Sequence, residues 1–157
     1  MRTLTAFLSL ILILILAFCG FFYAGGTLRA EVSCITAPAA DYPEAFESVK
    51  HVLSTGSAPI MLSNESLADA AGYSLVDVNI ILTNRGIFTA EWLNVQTEGV
   101  QGDIAVYSLT GDGSDVPARS TGQVNLKFVT RAPSNAPRSI TIQYYTYGIS
   151  RTIELIR

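Results

Sequence analysis

The residues able to bind or react are few and scattered along the chain. His51 is the single histidine, so a Ser-His-Asp device, a Cys-His pair or a histidine-based zinc site would have to use it, with no companion histidine available. Two carboxylates about 5 to 10 Å apart across a cleft can do glycosidase-type acid and base work, but no acidic pair stands at the end of a core strand with an evident partner. The stretch "TGDGSD" sets Asp112 and Asp115 in a Gly-rich loop, with Asp103 upstream. Oxygen donors so arranged suit calcium, yet a calcium loop closes on a bidentate glutamate. Here Thr121 and Gln123 occupy the region where that glutamate would be sought. The expectation is a polar inter-strand turn in which Gly111 and Gly113 supply positive φ. No catalytic residue, cofactor or metal site is expected, and the chain reads as a non-enzyme.

Tyr107, Tyr144, Tyr145, Tyr147 and Trp92 carry the remaining interest. Neighbouring residues on a strand point to opposite faces, which sends Tyr144 into a core and sets Tyr145 and Tyr147 together on the other face. Exposed tyrosines on a sheet can form a binding surface. The favoured expectation is that the helical segment 44–55 covers them; left uncovered, Tyr145 and Tyr147 are the candidate interaction surface.

The elements that place these residues begin with an apolar run. No charged side chain occurs from Thr3 to Leu28. At a rise of about 1.5 Å per residue, the 21 residues from 4 to 24 make a helix of roughly 30 Å, the thickness of a bilayer core. A cleaved signal usually has an apolar region of about 7 to 15 residues. Residues 1–26 are therefore expected to be a retained signal anchor that contacts membrane lipid through residues 4–24. The α-amine and Arg2 precede the run, whereas Arg29 and Glu31 nearly cancel after it, so the N-terminus is expected in the cytoplasm and the rest outside it. Cleavage after Gly26 or Ala30 is the alternative and would give a secreted module. Lipidation of Cys19 is disfavoured because Phe18, not a small residue, precedes it.

Cys34 lies ten residues beyond Ala24. A disulfide needs Cα atoms within about 7 Å, which a helix between Cys19 and Cys34 forbids, so no bridge between them is expected. Cys34 is then the one exported thiol. It is read as a tolerated free thiol or as a link between two anchored copies.

About 130 residues remain after the run, enough for one domain with a real core. The net charge is −3 and the ten basic residues are scattered, which excludes a nucleic-acid footprint. Residues 27–40 have small side chains and no helical period, and read as a short stalk or a first strand. The domain itself is expected over 41–157.

Within that domain, "DYPEAFESVKHVLSTG" predicts a short helix. Asp41 is the candidate cap, Pro43 sits in the first turn, and Phe46, Val49, Val52 and Leu53 form the apolar stripe. A strand near Ile60 and a helical turn from about Glu65 to Ala71 are expected next. Asn64-Glu65-Ser66 matches a glycosylation sequon, a triplet common by chance. From Tyr73 the period becomes two: Val76, Val78, Ile80 and Leu82 alternate with Asp77, Asn79 and Thr83. Five further alternating stretches follow, "TAEWLNVQTE", "GDIAVYSLTG", "GQVNLKFVT", "RSITIQYYTYG" and "SRTIELI". No link between them is long enough for a crossover helix, so the fold class is mainly β, an antiparallel sandwich of about seven strands.

Residues 73–157 resemble an immunoglobulin-like or fibronectin-like sandwich of prokaryotic surface proteins. The resemblance lies in "VNIILTNRG", in Trp92 on the next strand and in the closing hairpin "ITIQYYTYGISRTIELI". It implies an antiparallel sandwich without the paired cysteines of antibody domains. A single span followed by such a domain is also similar to archaeal pilins and archaellum stator subunits, although "MRTLTAF" lacks the small residue behind which prepilin peptidase cuts. The expected function is non-catalytic protein binding, scaffolding or adhesion at the cell envelope. Its partner is expected to be a protein at the outer membrane face. The alternative is an archaellum- or pilus-type filament or accessory subunit.

Overall fold

The structure is a computed structural model that describes residues 2–24, 27–133 and 136–156, with side chains in the first helix described over 5–21. In chain order the elements are α1 (Arg2–Ala24), β1 (Leu28–Pro38), one short 3-10 turn (Ala39–Asp41), α2 (Pro43–Ser54), β2 (Ile60–Met61), β3 (Ser74–Asn84), β4 (Glu91–Glu98), β5 (Asp103–Thr110), β6 (Thr121–Thr130), β7 (Ser139–Thr146) and β8 (Ile149–Ile156).

The period-two pattern of β3 fixes the centre of the molecule. Val76, Val78, Ile80 and Leu82 are buried, while Asp77, Asn79 and Thr83 turn the other way. β6 answers with Val124, Leu126 and Phe128, and β7 with Ile140, Ile142 and Tyr144. These faces meet across two antiparallel sheets, one of order β1-β3-β6-β5-β2 and the other β4-β7-β8. The result is a β-sandwich with one main core between its layers. Taking β1, β3, β4, β5, β6, β7 and β8 as A to G, the layers read A-B-E-D and C-F-G, the strand order of a constant-type immunoglobulin sandwich.

Several expectations are corrected. Residues 28–38, read as a short stalk or a first strand and set outside the domain, form an eleven-residue strand paired with β3 from Leu28↔Asn84 to Pro38↔Ser74. The domain therefore begins at about residue 28 rather than 41. Ala30, Val32 and Cys34 pack inward while Arg29, Glu31, Ser33 and Ile35 face solvent; small side chains on the inner face muted the alternation. Segment 65–71 is irregular rather than helical, held by Leu67 and Ala70 against a second apolar cluster.

Helix α2 forms where the sequence places it, but Tyr42 and not Asp41 occupies the cap, with Pro43 at the first helical position. Phe46 and Val49 bury against Tyr73, Ile104, Ala105 and Val129. That contact lies on the outer face of the five-stranded sheet. Tyr145 belongs to β7 of the three-stranded sheet, with Tyr147 in the turn that follows, so α2 cannot cover them.

Helix α1 is apolar on every side, and the large side chains described on it, Phe7 to Phe21, are exposed. Among the described residues no helix is long and apolar enough to cross a membrane. The span expected over 4–24 includes side chains at 4 and 22–24 that lie outside the described residues, as do residues 25 and 26 at the expected anchor boundary.

Candidate interaction surface

Pairing registers show which residues share one end of the sandwich. Leu28 opposes Asn84, Thr83 opposes Thr121, and Glu91 opposes Tyr145. The Tyr144 hydroxyl accepts the Leu28 N–H at 3.2 Å, tying β7 to the first residue of β1. The start of β1, the 85–90 loop, the 117–120 loop and the β7–β8 turn therefore cluster at a single end.

A bulge shapes the aromatic part of this end. Between Glu91 and Asn94 the register slips by one residue against β7, and Trp92 takes φ of 54°. Left-handed backbone is unusual for a tryptophan, and it turns the indole out of the sheet, where it is 73% exposed. The bulge is held by the "GDGSD" loop. Asp115 Oδ1 accepts the Trp92 N–H at 2.9 Å and Asp112 Oδ1 accepts the Val95 N–H at 2.8 Å. Ala90 and Val116 exchange two backbone hydrogen bonds beside them.

Both aspartates thus cap the free edge of β4. The third carboxylate considered for a metal, Asp103, forms a bidentate pair with Arg138. Among the described residues no three His, Cys, Asp or Glu side chains converge on a common point.

Trp92 and Tyr145 line one shallow hollow of about 300 Å³ with Glu91 and Gly148. Tyr147, at φ of 52° in the turn, is 66% exposed and stacks at an angle on Phe88, with ring centroids 5.1 Å apart. Tyr145 and Tyr147 are both exposed, Tyr145 on β7 beside Trp92 and Tyr147 in the following turn against Phe88. Tyr144 is buried as expected, and Tyr107 is half-buried on the other sheet.

Two arginines at the same end were not singled out by sequence. Arg85 and Arg119 line an open groove with Thr83 and Thr121, and among the described residues neither is in a salt bridge. The turn signal "NRG" marks the first, and φ of 57° at Arg119 leaves no trace in the sequence. Asn84 builds this region: its amide donates to Phe88 O and Val116 O at 2.8 and 2.9 Å, and its Oδ1 accepts the Gly86 N–H at 2.9 Å.

Further acids stand at the opposite end. Asp41, Glu44 and Glu47 sit on or beside α2, and Glu98 closes β4. His51 is exposed on α2. Cys34 is a free thiol turned toward the main core, and Cys19 is free and exposed on α1. Asn64 is exposed.

No known protein family and no curated protein matches the chain. Among solved structures, the yeast GGA1 GAE domain overlaps with a TM-score of 0.43 at 14% identity, covering 62% of this chain and 85% of that one. The GAE domain of GGA2p from Saccharomyces cerevisiae gives 0.43 at 9% identity, over 62% and 82%. A FixG-related protein from Vibrio parahaemolyticus gives 0.35 at 12%, over 81% and 93%. These overlaps are too loose to carry a functional assignment, and the sandwich is established by its own strand pairing.

Proposed function

We propose that the protein is a non-catalytic interaction module of the cell envelope: an immunoglobulin-like sandwich held at the outer face of a membrane by α1, with its N-terminus in the cytoplasm. The observation that carries this reading is the contrast between α1 and the rest of the chain. A helix that is apolar all round needs protein or lipid around it, and the sandwich leaves the described side chains of α1 exposed. Its sequence continues without charge from Thr3 through Leu28, which supplies the length that a span requires.

The carboxylates of "GDGSD" are engaged with backbone amides of β4, and the lone histidine faces solvent away from any cleft. A docking role fits the acidic far end around α2, which stands opposite the anchored end and is free to meet a protein partner.

The test is the intact mass of the protein in membrane and culture-fluid fractions, with alkaline carbonate extraction of the membranes. Full-length chain that resists extraction is the expected result. A chain in the fluid lacking the first 26 or 30 residues would remove the anchor and leave a secreted module.

A further inference from the structure

The end of the sandwich that bears Trp92 is also the end at which the anchor arrives. Ala24 closes α1 and Leu28 opens β1 four positions later. Four extended residues reach at most about 14 Å, so the end of α1 lies within that distance of Leu28. That end has the chemistry of a bilayer interface. Trp and Tyr concentrate where one side of a ring meets hydrocarbon and its polar atom meets water, and here Trp92, Tyr145 and Tyr147 are exposed together. Arg85 and Arg119 add two guanidinium groups that, among the described residues, are in no salt bridge, and guanidinium matches phosphate in geometry as well as charge.

Acids share this end with the arginines, Asp112 among them, accepting the Val95 N–H. Arg29 has Glu31 3.9 Å away, Asp115 is engaged with the Trp92 amide, and Glu91 stands at the rim of the aromatic hollow. At the far end, α2 bears Glu44 and Glu47, the latter paired with Lys50 at 2.9 Å.

Resting on the anchor reading above, we propose that this end docks on the membrane in which α1 is embedded. Trp92, Tyr145 and Tyr147 enter the headgroup layer, and Arg85 and Arg119 meet lipid phosphates. The sandwich is then held against the bilayer in one orientation, with α2 directed away from it. Each arginine near an anionic surface shifts such an equilibrium by about fivefold at moderate ionic strength, an effect that fades within a Debye length.

Trp92 is the single tryptophan of the chain, which makes its fluorescence a direct reporter. The full-length protein is reconstituted into phosphatidylcholine vesicles with and without phosphatidylglycerol, and vesicle flotation is read alongside Trp92 quenching. The expected result is co-flotation, strong quenching by lipids brominated near the headgroup, and several-fold protection from aqueous acrylamide. Protection should be greatest with phosphatidylglycerol. The double variant Arg85→Glu with Arg119→Asp, in which aspartate tolerates the left-handed backbone, should still float but lose that lipid-dependent protection.

Co-flotation with Trp92 open to acrylamide and untouched by brominated lipid overturns the docking while leaving the anchor intact. Protection from acrylamide without brominated-lipid quenching also overturns it, because protein would then be covering the indole. Equal quenching in the double variant and in neutral vesicles removes the arginines from the proposal. A chain that fails to float sinks the anchor and the docking together.

Discussion

Arg138 and Asp103 form a bidentate ion pair buried between the two sheets, with Nη2 to Oδ1 at 2.7 Å and Nε to Oδ2 at 3.0 Å. Their side chains are 4% and 0% exposed. Asp103 Oδ2 also accepts the Val100 N–H at 3.1 Å, and the guanidinium lies 5.6 Å from the centre of the Phe128 ring. The pair joins the start of β5 to the residue before β7 and closes the core at the α2 end.

Removing one partner leaves the other charged and buried. Arg138→Ala or Asp103→Ala is expected to cost about 3–5 kcal/mol, whereas the double change Arg138→Met with Asp103→Leu costs much less. Denaturant unfolding followed by far-ultraviolet circular dichroism measures both. Equal losses in the single and double variants would contradict this account.

In the β4 edge cap, Asp115→Ala and Asp112→Ala each remove a carboxylate acceptor from a backbone N–H. A loss of about 1–2 kcal/mol each is expected, with Trp92 emission altered chiefly by the first. Calcium titration should leave the melting temperature of the parent chain unchanged. A calcium-dependent rise abolished by Asp112→Ala would restore the metal reading.

The two glycines of that loop differ in a way substitution can read. Both have positive φ, 84° at Gly111 and 70° at Gly113. A Cβ on Gly111 would collide with the Gln123 carbonyl oxygen, while one on Gly113 would meet nothing within 4 Å. Gly113→Ala should therefore cost only the backbone term, about 1–2 kcal/mol. Gly111→Ala should lower the melting temperature clearly more.

Tyr107 supplies the pH dependence. Burial, and then the nearby Asp77 carboxylate, raise its phenol above the usual tyrosine range. A raised folded-state value favours the native state below the unfolded value of about 10 and loses that contribution as pH climbs through the folded one. Stability should fall at alkaline pH, and less steeply in Tyr107→Phe. Parallel pH profiles for the two proteins would exclude Tyr107 as the cause.

The strands from β3 to β8 were legible because one face of each is buried and period two survives in the sequence. Val76 to Leu82 and Ile140 to Tyr144 show this plainly. β1 was obscured because its inner face is Ala30, Val32 and Cys34, too small to contrast with their neighbours. That α2 packs on the five-stranded sheet, away from Tyr145 and Tyr147, was not legible, since alternation within a strand says nothing about which layer a helix joins. Arg85 and Arg119 were missed because loops meet through strand register, and Leu28↔Asn84 with Thr83↔Thr121 is a fact of three dimensions. The bulge at Trp92 depends on two acceptors about twenty residues further along the chain, which no local window contains.

The placement of β1 has a mechanical consequence. β1 leaves α1 at the Leu28 end as the border strand of one sheet, and β8 finishes at the far end as the border strand of the other. Tension between α1 and Ile156 pulls along both strands lengthwise, so the rungs of the β1–β3 ladder bear load in shear and rupture together. A pull applied to the Pro38 end of β1, across the strand, would peel the same rungs one at a time. α1 therefore joins the sandwich in the direction in which a β-ladder is strongest, and force spectroscopy from the two attachment points should give well-separated rupture forces.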